Sequence, residues 1–305
     1  MTYNRRTTTK LEEIQRVIAE KVTGKITPCH DEHGHHYKFE ATGTVVDSVT
    51  TILGWISKNH LSYWAAAKAV EWLEVGDRIQ RLQSPDEDVR QAMIKGACAA
   101  HTDIRDDAGF VGTQAHDCIE RYLIAWIKTG VRPKDIRLFF PTEKGDSVFG
   151  YYIKELDLSI CFTDLRAIAS ARAAESLMIK EDIIPVATEI LVGDELFSAG
   201  TLDFMCLHKG KLVIWDWKTS NNVDEYGYPL QVGAYKGFFE KMTRLKVQGL
   251  VIMKLSKDSA SYEAYDIPHL KPAYENFKLL SKFYQGWIKT DREYRIIKVK
   301  NRIKL

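Results

Sequence analysis

Apolar and polar positions follow a helical period through most of the first 130 residues. Apolar side chains recur at helical spacing in four segments, which predict helices at residues 8–22, 61–75, 86–108 and 113–130. Gly130 is the last residue of the fourth segment and predicts the end of that helix. Residues 33–53 break the pattern, because extended stretches and turn residues there predict a hairpin that leads into a helix. We therefore expect an α-rich N-terminal lobe at residues 1–108.

The period changes to two in the second half of the chain. Residues 132–146 predict a loop and residues 146–179 a long helix. Three strands, a helix, two further strands and a last helix are then predicted by "IIPVATEILVGD", "ELFSAGTLDFMCL", "KLVIWDWKTS", "PLQVGAYKGFFEKMT", "VQGLVIMKLS", "SYEAYDI" and "LKPAYENFKLLSKFYQGWIK". A meander followed by a crossover helix and another strand predicts a mixed α/β core at residues 109–305.

The end of the chain, "RIIKVKNRIKL", alternates apolar and basic residues. This alternation predicts a strand with four basic side chains on one face, those of Lys298, Lys300, Arg302 and Lys304. A solvated edge strand is one interpretation of the basic tail. A face that follows the phosphates of a nucleic acid is the other.

Composition and charge exclude few classes of protein. The chain has 305 residues and a net charge of +2, which is far less basic than a dedicated nucleic-acid packaging protein. Its five cysteines are dispersed and form no CxxC pair, which favours a reducing compartment such as the cytoplasm. The polar start "MTYNRRTTTK" predicts no secretory signal, and no apolar run is long enough to predict a membrane span.

Two carboxylates and an ammonium interrupt the apolar strands of "GTLDFMCLHKGKLVIWDWKTS". Because side chains alternate across a strand, Asp216 and Lys218 share one face, and pairing through the "HKGK" turn would bring Asp203 towards them. Glu189, one strand earlier, is a third acid. Clustered carboxylates repel one another, and oxygen ligands in twos and threes suit Mg²⁺. The residues alone leave open either a metal site or a salt bridge at a strand end, with Asp203 in a turn.

The order of these residues resembles the PD-(D/E)XK nuclease superfamily, most closely its RecB-like exonuclease branch. The likeness extends over about residues 109–240 and is carried, in chain order, by His116, Glu189, Asp203, Asp216, Lys218, Gln231 and Tyr235. The surrounding letters "GTQAH", "GTLDF", "IWDWKTS" and "LQVGAYKG" follow the pattern of that branch. "SVTT" and the Ala-rich segment after it also resemble the front of phage-encoded members.

The resemblance implies a restriction-endonuclease-like fold, in which helices flank a central mixed sheet. The metal ligands that it implies are His116, Asp203, Asp216 and the carbonyl of Trp217. Lys218 would position or activate the attacking water, and Glu189 would support the metal site. The residues that would contact the DNA strand or order the site are Gln231, Tyr235 and Thr219.

The same resemblance implies a Mg²⁺-dependent deoxyribonuclease, with Mn²⁺ as a substitute. We expect it to act as an exonuclease on linear or single-stranded DNA ends in recombination, repair or replication. The last cysteine is Cys206, so the C-terminal cysteines that hold an iron–sulfur cluster in some relatives are missing. No Walker A motif is present, which predicts no nucleotide cofactor. A helicase, recombinase or single-strand-binding protein would therefore be a separate partner, in the host cytoplasm if the protein is phage-encoded.

Two other functions compete with this expectation. One is a catalytically silent nucleic-acid-binding module on the nuclease fold. The other is a zinc hydrolase that uses the histidines of "CHDEHGHHY", which supplies Cys29, His30, His33, His35 and His36 as candidate ligands. Their spacing matches no closed zinc finger, and a hairpin turn with exposed histidines is the alternative interpretation of that segment.

Overall fold

The structure of this protein is a computed structural model that describes residues 5–31, 34–56, 59–133, 136–139, 149–153, 158–162, 164–268 and 270–303. The helices are α1 Arg5–Lys21, α2 Val49–Leu53, α3 Asn59–Leu73, α4 Arg78–Leu82, α5 Glu87–Thr129, α6 Leu165–Lys180, α7 Gly227–Thr243 and α8 Leu270–Ile303. The strands are β1 Ile26–Asp31, β2 Gly34–Phe39, β3 Val45–Asp47, β4 Ile136–Phe139, β5 Phe149–Ile153, β6 Leu158–Phe162, β7 Ile184–Asp194, β8 Ser198–His208, β9 Lys211–Lys218, β10 Gly249–Leu255 and β11 Tyr262–Asp266. Within these ranges, no helix is both long and apolar enough to cross a membrane.

The chain divides into two compact units. One is Ile56–Gln114, and the other combines Met1–Trp55 with Ala115–Leu305. In the smaller unit, Trp72 of α3 packs so closely on α5 that a Cβ added at Gly96 would lie 2.4 Å from its ring. Gly96 therefore allows α3 and α5 to approach each other. The predicted domain boundary at residues 108–109 lies inside α5 and stays a prediction.

A five-stranded mixed sheet forms the centre of the larger unit, with strand order β11-β10-β9-β8-β7. The strands β7, β8 and β9 form an antiparallel meander. Helix α7 then leads to β10, which pairs parallel with β9, and β11 pairs antiparallel with β10. The predicted mixed α/β sheet, with its meander, crossover helix and further strand, is confirmed.

The middle of the sheet is covered by helices. Helix α7 contacts β7, β8, β9 and β10, and α6 contacts β10 and β11. Every residue of β9 between its first and its last is buried. A strand that is buried on both faces is normally apolar throughout. Asp216, which is 1% exposed within this strand, is therefore exceptional.

A small antiparallel sheet, β1-β2-β3, packs against the start of β8. Its apolar side chains form a cluster with Ala199 of β8 that consists of Ile26, Tyr37, Phe39 and Val46. A short helix, α2, follows directly, and the hydroxyl of Ser48 accepts a hydrogen bond from the N–H of Thr51 at its start. The predicted hairpin leading into a helix is confirmed.

A second antiparallel sheet, β4-β5-β6, corrects the sequence prediction for residues 132–179. The predicted loop contains β4, and the predicted long helix contains β5 and β6 before α6 begins at Leu165. The segments "FGYYI" and "LSICF" are rich in aromatic and apolar residues that favour strands. The Ala-rich α6 alone has the composition of a helix.

Two predictions about helices are also wrong. The helices predicted at residues 86–108 and 113–130 are one continuous helix, α5, because the glycines between them weaken a helix without ending it. The C-terminal basic tail is not a strand, since α8 continues to Ile303 and carries Lys298, Lys300 and Arg302. No glycine or proline interrupts residues 287–303, so the helix continues past the alternating pattern. Lys304 lies outside the described residues.

Candidate active site

Asp203 and Asp216 lie next to each other on the paired strands β8 and β9. Phe204 pairs with Trp215 in the antiparallel register, which places the neighbouring Asp203 beside Asp216. The backbone N–H of Trp217 donates a hydrogen bond of 2.9 Å to Oδ2 of Asp203. The structure thus brings two of the predicted site residues together.

The opposite face of the same strands is aromatic. The ring of Phe204 stacks on Trp217 with centroids 5.6 Å apart and meets Trp215 edge-on at 5.9 Å. Because side chains alternate along a strand, this packing directs the side chains of Asp203 and Asp216 away from the aromatic layer. The aromatic residues therefore fix the face on which the two acids lie.

Asp216 and Lys218 form a buried ion pair. The ammonium nitrogen of Lys218 lies 2.5 Å from Oδ2 of Asp216, and the Lys218 side chain is 16% exposed. Even so, no described group donates a well-aligned hydrogen bond to either oxygen of the Asp216 carboxylate. Burial raises the pKa of Asp216, while the neighbouring ammonium opposes this shift. Burial disfavours the ammonium as well, but Asp216 and Asp203 outweigh it and raise the pKa of Lys218.

Glu189, on β7, lies near Asp203 and Asp216. Its neighbours Thr188 and Ile190 pair with the residues on either side of Asp203, so Glu189 lies opposite that aspartate. Its backbone is left-handed, with a φ of 49°, an unusual conformation for a residue with a side chain. Burial, together with repulsion from Asp203 and from other nearby acids, raises the pKa of Glu189 to about 8. The structure thus adds a third predicted residue to the site.

Helix α5 contributes one predicted residue and one that sequence reasoning missed. His116 Nδ1 lies 3.9 Å from Oδ2 of Asp203. Glu120, one helical turn further on, is close enough to help raise the pKa of Glu189. Burial and the nearby Asp117 raise the pKa of Glu120 as well. The spacing of four residues between His116 and Glu120 is the sequence signal that could have identified it.

Gln231 and Tyr235 lie on α7 and are both buried. The side-chain amide of Gln231 donates to the Tyr235 hydroxyl at 3.1 Å. The Tyr235 ring packs on Gly200 of β8, where a Cβ would lie 2.6 Å from Cε1 of the ring. Burial, with the nearby charge of Asp216, raises the pKa of Tyr235. The roles that the resemblance implies for Gln231 and Tyr235, contact with the DNA strand or ordering of the site, stay predictions.

Tyr37 of β2 also reaches the site and was missed by sequence reasoning. Its hydroxyl lies 3.0 Å from the hydroxyl of Thr201, two residues before Asp203. Burial raises the pKa of Tyr37, and the charge of Glu189 contributes to this shift. No local pattern connects Tyr37 to residues more than 160 positions away, so only the fold identifies it.

Two further predicted residues are at the end of β9. Trp217 is buried, and its N–H is bonded to Asp203 as described above. Thr219 is partly buried and follows the last residue of the strand. The metal-binding role of the Trp217 carbonyl and the DNA-binding role of Thr219 stay predictions.

We name Glu120, Glu189, Asp203 and Asp216 the acidic cluster. The other three carboxylates are near enough to help raise the pKa of Glu189, and Asp203 helps raise the pKa of Asp216. Asp216 also has an oxygen without a hydrogen-bond donor among the described residues. Among all the residues that the structure describes, no three His, Cys, Asp or Glu side chains are already arranged to hold a metal ion. Mg²⁺ commonly takes one or two carboxylates and keeps several waters. The donor chemistry of Asp203 and Asp216 therefore fits Mg²⁺.

The histidines near the N-terminus are arranged differently. His30 and His35 face each other across β1 and β2, and their rings stack with centroids 4.5 Å apart. His36 Nδ1 lies 3.0 Å from Oδ1 of Asp47. The segment forms the hairpin of the alternative interpretation, but of its described histidines only His30 is exposed, while His35 and His36 are partly buried. His33 lies outside the described residues. The zinc role of this segment stays a prediction.

Comparison with known proteins adds no identification: no protein-family model matches the chain, and no curated protein matches it.

Proposed function

We propose that this protein is a metal-dependent DNA nuclease that hydrolyses phosphodiester bonds. The observation that carries the proposal is the buried Asp216 on β9, a strand that is otherwise apolar between its ends. Lys218 of the same strand and Asp203 of the neighbouring β8 lie beside it. Burying a carboxylate is costly unless a cation compensates for it. The Lys218 ammonium supplies one positive charge, while Asp203 adds a second negative charge beside Asp216, and Glu189 and Glu120 become further negative charges when they lose their protons. A divalent cation would relieve this repulsion.

The residues of the site have complementary roles in this proposal. Asp203 and Asp216 would hold Mg²⁺ or Mn²⁺, with His116 as the further ligand that the resemblance implies, and the ion would supply positive charge at the phosphate. The Lys218 ammonium carries three N–H donors and can orient the attacking water or stabilise charge on a phosphate oxygen. Glu189, with its raised pKa, can exchange a proton near neutral pH.

The preference for DNA ends rests on the resemblance to the RecB-like exonuclease branch. The nuclease proposal as such is supported by a site made by strands and helices of the larger unit, because catalytic groups held on regular elements are well positioned. The restriction-endonuclease-like assignment of the fold belongs to this proposal too. The meander, crossover helix and parallel strand support it.

The proposal is tested with end-labelled linear DNA and covalently closed circles, each single- and double-stranded, in the presence of Mg²⁺ or Mn²⁺. We expect cleavage of linear substrates and resistance of circles. Lys218→Ala and Asp203→Asn should each lower the cleavage rate by about 100-fold or more, because each removes a charge from the reacting centre. Lys211→Ala, which changes an exposed lysine at the other end of β9, should cleave at the wild-type rate.

Other outcomes identify the competing functions. Equal cleavage of circular and linear DNA would indicate an endonuclease rather than an exonuclease. Binding of DNA without cleavage under either metal would indicate the silent binding module. Stoichiometric zinc that is lost together with hydrolytic activity in His30→Ala and His35→Ala would indicate the zinc hydrolase.

A further inference from the structure

The Lys218 ammonium has an aromatic neighbour on the side chain of Tyr228. The nitrogen lies 4.9 Å from the centroid of the Tyr228 ring, within the range of a cation–π attraction. The same nitrogen contacts Asp216 at 2.5 Å. The ammonium is therefore held between a carboxylate and an aromatic ring.

The Tyr228 ring is fixed by a hydrogen bond to the loop that follows β9. The Ser220 hydroxyl donates to the backbone carbonyl of Asn222 at 2.8 Å, and it lies 3.0 Å from the Tyr228 hydroxyl. A serine hydroxyl has a single proton, so Tyr228 must be the donor in the second contact. Since Ser220 is two residues beyond Lys218, the ring is tied to the chain segment that carries the lysine.

The backbone of Tyr228 is fixed as well, because it lies in the first turn of α7. The Asp224 carboxylate accepts hydrogen bonds from the N–H groups of Tyr226 at 3.2 Å and Gly227 at 2.8 Å. The N–H of Tyr228 donates to the Asp224 carbonyl at 3.2 Å. A Cβ at Gly227 would lie 2.5 Å from Oδ2 of Asp224, so this turn is built around a glycine. Tyr228 therefore enters the site from a well-defined helix start.

We propose that Tyr228 is a positioning residue for Lys218. A lysine side chain has four flexible methylene groups, and its compact ammonium is strongly attracted to water. The ring of Tyr228 occupies one side of the ammonium and keeps it beside Asp216, in the orientation from which it can reach a phosphate or a water. This inference rests on the proposed function, because it assigns Tyr228 a role in that hydrolysis.

The kinetic test compares three variants on linear DNA with Mg²⁺. Tyr228→Leu removes the ring, and we expect kcat to fall by about 10-fold or more with little change in KM, since small displacements of a catalytic group have large effects on rate. Tyr228→Phe keeps the ring and should retain most of the activity. Tyr226→Leu is the matched control, because Tyr226 is two residues away and 78% exposed; it should cleave like the wild type.

The second test needs no catalysis. In protein with ¹³C-labelled lysine, the signals of the Lys218 side chain, assigned from the Lys218→Arg variant, should show an upfield shift from the Tyr228 ring. That shift should persist in Tyr228→Phe and Tyr226→Leu and disappear in Tyr228→Leu. A shift that survives in Tyr228→Leu, or equal losses of kcat in Tyr228→Leu and Tyr226→Leu, would overturn the inference.

Failure of the proposed function is recognised separately. If the wild-type protein cleaves no DNA but the shift disappears only in Tyr228→Leu, the nuclease proposal fails and the positioning of Lys218 by Tyr228 is still supported. If the wild type cleaves DNA and Tyr228→Leu cleaves equally well, the nuclease proposal is supported and the positioning role is wrong.

Discussion

Asp216 occupies a position that an apolar residue would ordinarily take. It is 1% exposed, and burial raises its pKa even though Lys218 lies against it. Replacing a buried ion pair by apolar residues of similar volume is often neutral or stabilising, so stability alone gives little reason for this pair. The proposed role at a reacting phosphate would give the pair a chemical reason.

Gly200 is equally specific to its position. It lies in β8, where glycine ordinarily weakens a strand, yet the Tyr235 ring fills the space that a side chain would take. Gly200→Ala would place a methyl group 2.6 Å from that ring. We expect the free energy of unfolding to fall by about 1–3 kcal/mol, because the rigid ring must move. Chemical denaturation of the variant and the wild type measures the change.

A second glycine provides the control for this prediction. An added Cβ at Gly286, in α8, would have no atom within 4 Å. Gly286→Ala should therefore raise the free energy of unfolding by about 0.5–1 kcal/mol, the usual difference between these residues within a helix. A Gly200→Ala protein as stable as the wild type would contradict the close packing of Tyr235 on β8.

At the scale of elements, α7 supports the site along most of its length. Its first turn carries Tyr228, its middle carries Gln231 and Tyr235, and its last turns carry Lys241. The Lys241 ammonium lies 2.6 Å from Oδ2 of Asp194, the last residue of β7. The Asp194 side chain is 3% exposed. The last turns of α7 are thus attached to the end of β7.

Substitution of Asp194 tests the attachment of α7 to the sheet. Its carboxylate accepts hydrogen bonds from both Lys241 and the N–H of Leu196 in the β7–β8 turn. Asp194→Ala should lower the free energy of unfolding by about 2–4 kcal/mol, because a charged hydrogen-bond acceptor of both groups is lost. The exposed pair Arg16–Glu20 is the control, since Glu20→Ala should cost no more than about 0.5 kcal/mol. Equal effects of the two substitutions on urea denaturation would contradict this attachment.

The sequence predicted the elements that depend on local patterns. Period-two alternation gave the strands and the shared face of Asp216 and Lys218, and the turn between the strands predicted that Asp203 would join them. Glu189 also reached the site, although its φ of 49° and the irregular pairing of β7 are not visible in a simple alternation. Its prediction came from its place one strand before Asp203, together with the resemblance.

The errors and omissions have physical causes too. The strands β5 and β6 were merged with α6 into one helix because short apolar segments carry too little periodicity to separate strand from helix. Glu120 and Tyr37 were missed because each enters the site from an element that is remote in sequence from β8 and β9. Only tertiary packing shows that β2 approaches the same carboxylates, whereas the four-residue spacing from His116 on α5 could have identified Glu120.

At the scale of the whole molecule, the site collects residues from far apart in the chain within one unit. Tyr37 comes from the N-terminal segment, while His116 and Tyr235 lie in the segment that starts at Ala115. Their neighbours are carboxylates that repel one another, so the site opposes folding unless protons or a cation are bound. The protein's global stability should therefore respond to both.

The pH dependence of stability follows from the sign of the Glu189 shift. Its pKa in the folded protein is raised to about 8, so the folded state holds this proton more tightly than the unfolded state does. This contribution to stability is complete below the ordinary glutamate pKa and is lost as the pH rises towards 8. In EDTA, we expect the melting temperature to fall between about pH 5 and pH 8, and Mg²⁺ should restore part of it at the higher pH because bound ligand stabilises the folded state. Glu189→Gln should flatten this dependence, whereas Glu20→Gln, at an exposed position, should keep it. A wild-type slope in Glu189→Gln would show that Glu189 does not control the response.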